Sequence, residues 1–261
     1  MNIIVCLKQV PGTTQVKIDP QTNTLIRQGV ASILNPFDAY ALEEGIRLKE
    51  RYPGKVTVIT MGPPQATDML REAISVGADQ AILLSDREFA GSDTLATSYT
   101  LAQAVKKIGE YDLVICGRQT LDGDTGQVGP EISQMLGLPF IAYVSKVEEA
   151  ANGILRVQRM VDDGHEVVET ALPAVITVTK EINVPRLPSL RGMAKSKSAQ
   201  IPTWTASDIA AQKDSVGRAG SATVVVKTFV PERIRRGQVL KGTVEEQVAA
   251  LMENLRGARI I

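Results

Sequence analysis

Five short apolar runs rich in β-branched residues, at 3–7, 56–61, 81–84, 113–116 and near 140–144, alternate with stretches whose apolar residues recur at helical spacing. Runs of this length suit strands buried on both faces. Strands alternating with helices predict an α/β fold built on a parallel sheet with helices on both sides. The first helix is expected to open at Asn35-Pro36, with Asn as N-cap and Pro at the first helical position. It carries Ala41, Leu42, Gly45, Ile46 and Leu48, and stops at Arg51-Tyr52-Pro53-Gly54. Met69, Leu70, Ala73 and Ile74 mark a second helix, which Gly77-Ala78-Asp79 ends. Ser92 and Asp93 are candidate caps for a third, carrying Leu95, Tyr99, Ala102, Val105 and Ile108, and a fourth passes through Met135-Leu136. Between the first strand and the first helix, Asp19-Pro20-Gln21-Thr22-Asn23 reads as a turn cluster between two short extended pieces.

The pattern changes after residue 150. Residues 154–161 and 166–171 flank Asp162-Asp163-Gly164-His165, a hairpin signal, and 174–178 is a further apolar strand. From Pro185 the chain turns irregular and basic, with Arg186, Pro188, Arg191, Lys195 and Lys197, and it ends in an amphipathic stretch over 244–255. The tail holds too little apolar surface for a core of its own. Two units are therefore expected: an α/β domain over 1–184, and a recognition loop and arm over 185–261 lying on a partner protein. The alternative for the final stretch is a helix packed back on the same domain.

Twenty-nine Lys plus Arg balance twenty-nine Asp plus Glu, which leaves no net field to hold a polyanion and argues against nucleic acid as a partner. No apolar run reaches bilayer-spanning length. The apolar start lacks the basic leader of a signal peptide, so it reads as a first strand, and a cytoplasmic protein is expected. Cys6 and Cys116 each end a strand-like run and read as reduced core thiols. With no Cys-x-x-Cys, no metal-ligand cluster and a single histidine, His165, in a polar turn, any electron chemistry must come from a bound cofactor.

In an open parallel sheet, ligands bind beyond the carboxyl ends of the strands. Three loops stand there: Lys8-Gln9-Val10-Pro11-Gly12, Gly62-Pro63-Pro64, and the long loop from Gly117 to Glu131. In the last, Gly123, Gly126 and Gly129 recur every third residue just as a helix is expected to begin. Glycines let backbone N–H groups approach an anion, and a helix N-terminus favours negative charge. Thr125 offers a hydroxyl and Arg118 a positive charge. Asp122 and Asp124 would repel a phosphate they faced, so they are expected to cap the helix or to bind ribose hydroxyls. The same glycine spacing also serves a tight strand-to-helix turn, and the loop alone leaves both readings open. No Gly-x-Gly-x-x-Gly follows the first strand, and neither a Gly-x-x-x-x-Gly-Lys-Ser/Thr loop nor a Gly-x-Ser-x-Gly elbow occurs.

The run Gly117-Arg118-Gln119…Asp122-Gly123-Asp124-Thr125-Gly126-Gln127 resembles the nucleotide loop of electron-transfer flavoprotein beta subunits. So do Val5-Cys6-Leu7-Lys8-Gln9-Val10-Pro11 and Asn35-Pro36-Phe37-Asp38, and Val157-x-Arg159-x-x-Asp162-Asp163-Gly164-x-Glu166-x-Val168 followed by Pro173-Ala174-Val175-Ile176-Thr177 matches the family signature around the hairpin. The segment Pro185-Arg186-Leu187-Pro188-Ser189-Leu190-Arg191-Gly192-Met193-Ala194-Lys195 is similar to the loop by which such subunits recognise a dehydrogenase. The resemblance spans nearly the whole chain, in order. It implies an adenine-nucleotide-binding α/β domain, like that of the adenine nucleotide alpha hydrolases. It also implies pairing with an alpha subunit that carries the electron-carrying FAD.

In conventional members the beta subunit holds AMP as a structural ligand. In a bifurcating branch the same site holds a second FAD. That FAD takes a hydride from NADH and sends one electron to ferredoxin or flavodoxin. The other goes through the alpha-subunit FAD to an acyl-CoA dehydrogenase-like partner. The small residues Gly123, Thr125 and Gly126 look like the bifurcating branch, since they leave room for a diphosphate and the rest of a flavin. By matching position, the resemblance assigns nucleotide contacts to Cys6, Leu7 and Lys8, to Asn35, Pro36, Phe37 and Asp38, and to Met61 and Gly62. It assigns the phosphate loop to Cys116, Gly117, Arg118, Gln119, Asp122, Gly123, Asp124, Thr125, Gly126, Gln127 and Val128. Leu190 matches the apolar tip that enters a partner pocket.

Overall fold

The computed structural model describes residues 1–12, 32–227 and 237–261, and the backbone of 17–18 and 25–26. In chain order the elements are β1 (Asn2–Cys6), β2 (Gln9–Pro11), β3 (Lys17–Ile18), β4 (Leu25–Ile26), β5 (Ser32–Leu34), α1 (Pro36–Arg51), β6 (Lys55–Met61), α2 (Ala66–Val76), β7 (Gln80–Leu84), α3 (Thr94–Ile108) and β8 (Leu113–Gly117). There follow α4 (Val128–Leu136), β9 (Phe140–Ala151), β10 (Ile154–Val161), β11 (Gly164–Ala171), β12 (Ala174–Val178), α5 (Leu190–Ser198), β13 (Thr203–Trp204) and α6 (Val244–Gly257). β3 and β4 pair antiparallel, as the two extended pieces expected there, and the turn cluster between them lies outside the described residues.

Nine strands form one sheet in the order β11-β10-β9-β12-β8-β1-β6-β7-β13. β1 lies inside it, paired in parallel with both β6 and β8. Because side chains alternate across a strand, Ile3, Val5 and Leu7 pack on one face with the buried sides of α1 and α2. Ile4 and Cys6 pack on the other face with Leu101, Ala104 and Val105 of α3 and Ile132 of α4. Helices therefore cover both faces of the parallel part, as the strand–helix alternation predicts.

The sheet is not parallel throughout. β9, β10 and β11 form an antiparallel meander at one end. β9 runs on to Ala151, seven residues past the expected strand, because its outer half pairs with β10 instead of a buried parallel neighbour. The hairpin turn is Asp162-Asp163, with Gly164 already paired to Val161, so His165 sits on an exposed strand and not in the turn.

The expected division at residue 185 is not a packing boundary. α5 lies against α2, and β13 extends the sheet beside β7. Ala206, Ile209 and Val216 join the core on the α3 side. Leu190, expected on a loop, is the first residue of α5. α6 keeps the character expected of the arm, with no buried residue.

Candidate functional site

The carboxyl ends of β1, β6, β7 and β8 open into a crevice of ≈ 1320 Å³. Its lining includes Cys6, Leu7 and Lys8 after β1, Met61 and Gly62 after β6, and Asp38 from α1. From β8 and the loop beyond it come Cys116, Gly117, Arg118, Gln119, Asp122, Gly123, Thr125, Gly126, Gln127 and Val128. The sequence-predicted residues thus converge on one cavity, with four exceptions: Asn35, Pro36, Phe37 and Asp124 do not line it.

Asn35, Phe37 and Asp124 instead contact residues of the wall. Asn35 is at the N-cap position of α1 but makes no side-chain cap hydrogen bond. Its amide nitrogen instead donates to the Gln119 carbonyl at 2.9 Å, and its amide oxygen accepts from the Leu121 N–H at 3.2 Å. It is fully buried and staples the loop after β8 to the start of α1. The Phe37 ring lies 5.5 Å from the Arg118 guanidinium, which also lies 5.7 Å from the ring of Tyr143, a residue the sequence reading did not single out. Arg118 Nε donates to Gln119 Oε1 at 2.6 Å, so the guanidinium is oriented before any ligand enters.

Asp122 and Asp124 do not cap α4, the first of the two roles expected of them. Asp122 pairs with Lys8 Nζ at 2.7 Å, and Asp124 accepts a hydrogen bond from the Gln119 side chain. The N-cap of α4 is Gln127, without a side-chain cap bond. The first-turn N–H groups of a helix have no partner within it, so α4 opens with bare amides and the positive end of its dipole. Two left-handed residues, Asp124 at φ 51 and Gly126 at φ 64, bend the loop ahead of it. A Cβ on Gly126 would come 3.3 Å from the Arg118 carbonyl oxygen, where the loop doubles back. A Cβ on Gly129 would meet Thr177 Cγ2 at 2.5 Å, which holds α4 close over β12.

Electrostatics at the cavity floor follow from burial. Desolvation pushes the Asp38 carboxyl up to about 7, against hydrogen bonds from Asn35 and from the Lys8 N–H, the latter at 2.7 Å. Burial also raises Asp122, but the Lys8 ammonium outweighs it and holds Asp122 below the usual carboxylate range. The Cys116 thiol is pushed well up by its hydrogen bond with Cys6 and by burial, so these two free cysteines are core thiols at the cavity floor, as expected. No cluster of metal-ligating side chains occurs among the described residues.

The opposite wall was missed from the sequence. Asp86, Arg87, Ser92, Asp93, Thr94 and Thr97, from the end of β7 to the first turn of α3, also line the crevice. The only signal there was Ser92-Asp93 as a cap. Asp93 does cap α3, accepting from the Ala96 N–H at 3.1 Å. Thr94 and Ser98 donate to Glu131 of α4 at 3.1 and 2.7 Å, which joins the two walls.

The electron transfer flavoprotein domain model matches residues 22–209. The chain is 48% identical over 262 residues to the electron transfer flavoprotein subunit beta of Thermoanaerobacterium thermosaccharolyticum, covering 100% of both chains. It is 49% identical over 256 residues to the subunit of the same name from Clostridium acetobutylicum, covering 98% of each. It is 46% identical over 263 residues to the caffeyl-CoA reductase–Etf complex subunit CarD of Acetobacterium woodii, covering 100% of both.

Proposed function

The chain belongs to the electron transfer flavoprotein family as a beta subunit, and from that premise we propose that it is a beta subunit of the electron-bifurcating kind, paired with an alpha subunit in the cytoplasm and holding FAD in the crevice. The bound flavin would supply the redox chemistry: hydride from NADH is accepted, and the two electrons are divided between ferredoxin or flavodoxin and, through the alpha-subunit FAD, an acyl-CoA dehydrogenase-like partner. The observation that carries the reading is the conjunction of the uncapped start of α4 with a glycine-bent loop in front of a cavity of ≈ 1320 Å³.

The residues fit such a group. Bare amides at Val128 and Gly129 and an aligned dipole suit a diphosphate. The small residues Gly123, Thr125 and Gly126 leave the path past the loop open, and Arg118 stands beside it with its guanidinium already oriented. Lys8 neutralises Asp122, which removes the repulsion a free carboxylate would exert. The cavity of ≈ 1320 Å³ exceeds the roughly 300–1,000 Å³ of ordinary small-molecule pockets. That extent favours a dinucleotide over AMP.

Partner surfaces lie elsewhere. On α6, Val244, Val248, Leu251, Met252 and Leu255 fall at i, i+4, i+7, i+8 and i+11, one apolar stripe whose first four residues the described residues leave exposed. A capping box between Thr243 and Glu246 fixes where this helix starts. Such a helix suits an arm laid on the alpha subunit. Leu190 is 84% exposed at the tip of the segment we assign to dehydrogenase docking, with Leu187 beside it at 87%. No helix among the described residues is long and apolar enough to cross a membrane.

The test is coexpression with the alpha subunit, followed by NADH oxidation with and without ferredoxin. Oxidation that requires ferredoxin and the dehydrogenase together supports bifurcation. A complex inert to NADH, but able to carry electrons from an acyl-CoA dehydrogenase, identifies a conventional subunit with AMP.

A further inference from the structure

The exposed tip at 187–190 projects from a segment tied down at both ends, and one residue makes most of the ties on its near side. Arg186 Nε and Nη2 donate to Glu43 at 2.8 and 3.1 Å, while Nη1 and Nη2 donate to Glu50 at 2.6 and 3.0 Å. Its backbone N–H also donates to Glu43, at 3.2 Å. One guanidinium thus bridges two carboxylates two turns apart on α1, more than 130 residues away in sequence. Glu43 is nearly fully buried. Burial pushes its carboxyl up, yet the Arg186 and Arg47 guanidiniums outweigh that and hold it below the usual range, so it stays charged. Three residues earlier, Asn183 donates to the Tyr40 carbonyl and to Glu44, both at 3.0 Å.

The far side is held as firmly. Ser189 caps α5, accepting from the Gly192 N–H at 3.0 Å. Gly192 is pressed onto the Ser75 carbonyl at the end of α2, where no Cβ fits. Arg71 of α2 donates to the Ser196 and Ala199 carbonyls at 2.6 and 3.2 Å, and Lys195 to the Ala78 carbonyl at 3.1 Å. Between these anchors Leu187, Pro188 and Leu190 stand exposed.

We propose that Arg186 is a positioning residue for dehydrogenase docking: its double fork onto Glu43 and Glu50 fixes the backbone that presents Leu187 and Leu190, so that the tip is ordered before the partner arrives. This rests on the docking reading of Leu190. A tip held in its bound shape loses less freedom on association and binds tighter for the same contacts. The fork is specific to arginine, because a lysine ammonium cannot place paired donors on two carboxylates at once.

The experiment uses the heterodimer with its alpha subunit and a short-chain acyl-CoA dehydrogenase as probe. It compares Arg186→Gln, Arg186→Lys, Glu50→Gln and Leu190→Ala. Glu50→Gln is the milder variant, since Glu50 is exposed and its loss leaves the buried Glu43 paired. The readouts are KM for the heterodimer, kcat, nucleotide content, and amide hydrogen exchange at 187–190. Arg186→Gln and Arg186→Lys should each raise KM about 10-fold or more and speed exchange at the tip, with kcat and nucleotide content unchanged. Glu50→Gln should do the same more weakly, and Leu190→Ala should raise KM without changing exchange. If Leu190→Ala raises KM while the Arg186 and Glu50 variants leave both KM and exchange at wild-type values, the positioning role is overturned and the docking reading stands. If Leu190→Ala transfers electrons with the wild-type KM, both fall.

Discussion

Lys8 and Asp122 meet in a 2.7 Å ion pair that joins the loop after β1 to the loop after β8, and both line the crevice. The pair is partly exposed, so it adds at most about 1 kcal/mol to stability. Its larger effect is on the field at the phosphate loop. Lys8→Ala should leave Asp122 uncompensated and weaken nucleotide retention about 10-fold, a difference of about 1.4 kcal/mol. Lys8→Ala with Asp122→Asn should recover most of that loss. Equilibrium dialysis of released nucleotide against the wild type and the two variants measures it, and a double variant no better than Lys8→Ala would contradict the assignment.

Gly126→Val should empty the site while the fold survives. At φ 64 a β-branched residue is strained, and its Cβ starts 3.3 Å from the Arg118 carbonyl oxygen. The loop is exposed, so the cost to global stability should stay within about 1–3 kcal/mol. Absorbance at the nucleotide and flavin bands of the purified complex reports the loss, and full nucleotide content would count against this loop as the phosphate site.

Asn35→Ala should lower stability and nucleotide retention together. Two hydrogen bonds of its buried amide tie down the loop after β8, and the Leu121 N–H would lose its acceptor. A buried group left unpaired costs about 1–3 kcal/mol. Thermal unfolding and nucleotide content should fall in parallel, whereas the same substitution at a helix cap alone would change only the first.

Asp38 gives a pH dependence with a definite sign. Its folded value of about 7 lies above the ordinary 3.8, so between those values the folded protein binds a proton that the unfolded chain has released. Stability contributed by this group therefore falls as pH rises from about 4 to about 7 and is level above that. Asp38→Asn does not titrate. Its Tm relative to wild type should rise by at least about 2 °C between pH 5 and pH 8, and a pH-independent difference would show that the carboxyl is ionised throughout.

Much of this architecture is written locally in the chain. Runs such as 113–116 bury every residue, and the loop after that strand could be placed at a carboxyl edge from alternation alone. What escaped local reading depends on distant residues. Asn35 fits every rule for an N-cap, but a loop 84 residues on claims its side chain. Glu43 and Glu44 look like solvent-facing helix residues until the 183–186 segment is laid over them. Residues 203–216 carry scattered apolar side chains too few for a core. Ala206, Ile209 and Val216 bury themselves singly in a core the first half of the chain has already built. The 85–97 wall has no motif, because its part in the crevice comes from where β7 ends and not from its residue types.

The most direct test of the account is the nucleotide released by acid from the purified heterodimer, identified by mass and counted per complex. Two FAD and no AMP are expected. One FAD with one AMP would contradict the central claim, since the crevice of this chain would then hold a mononucleotide and no second flavin.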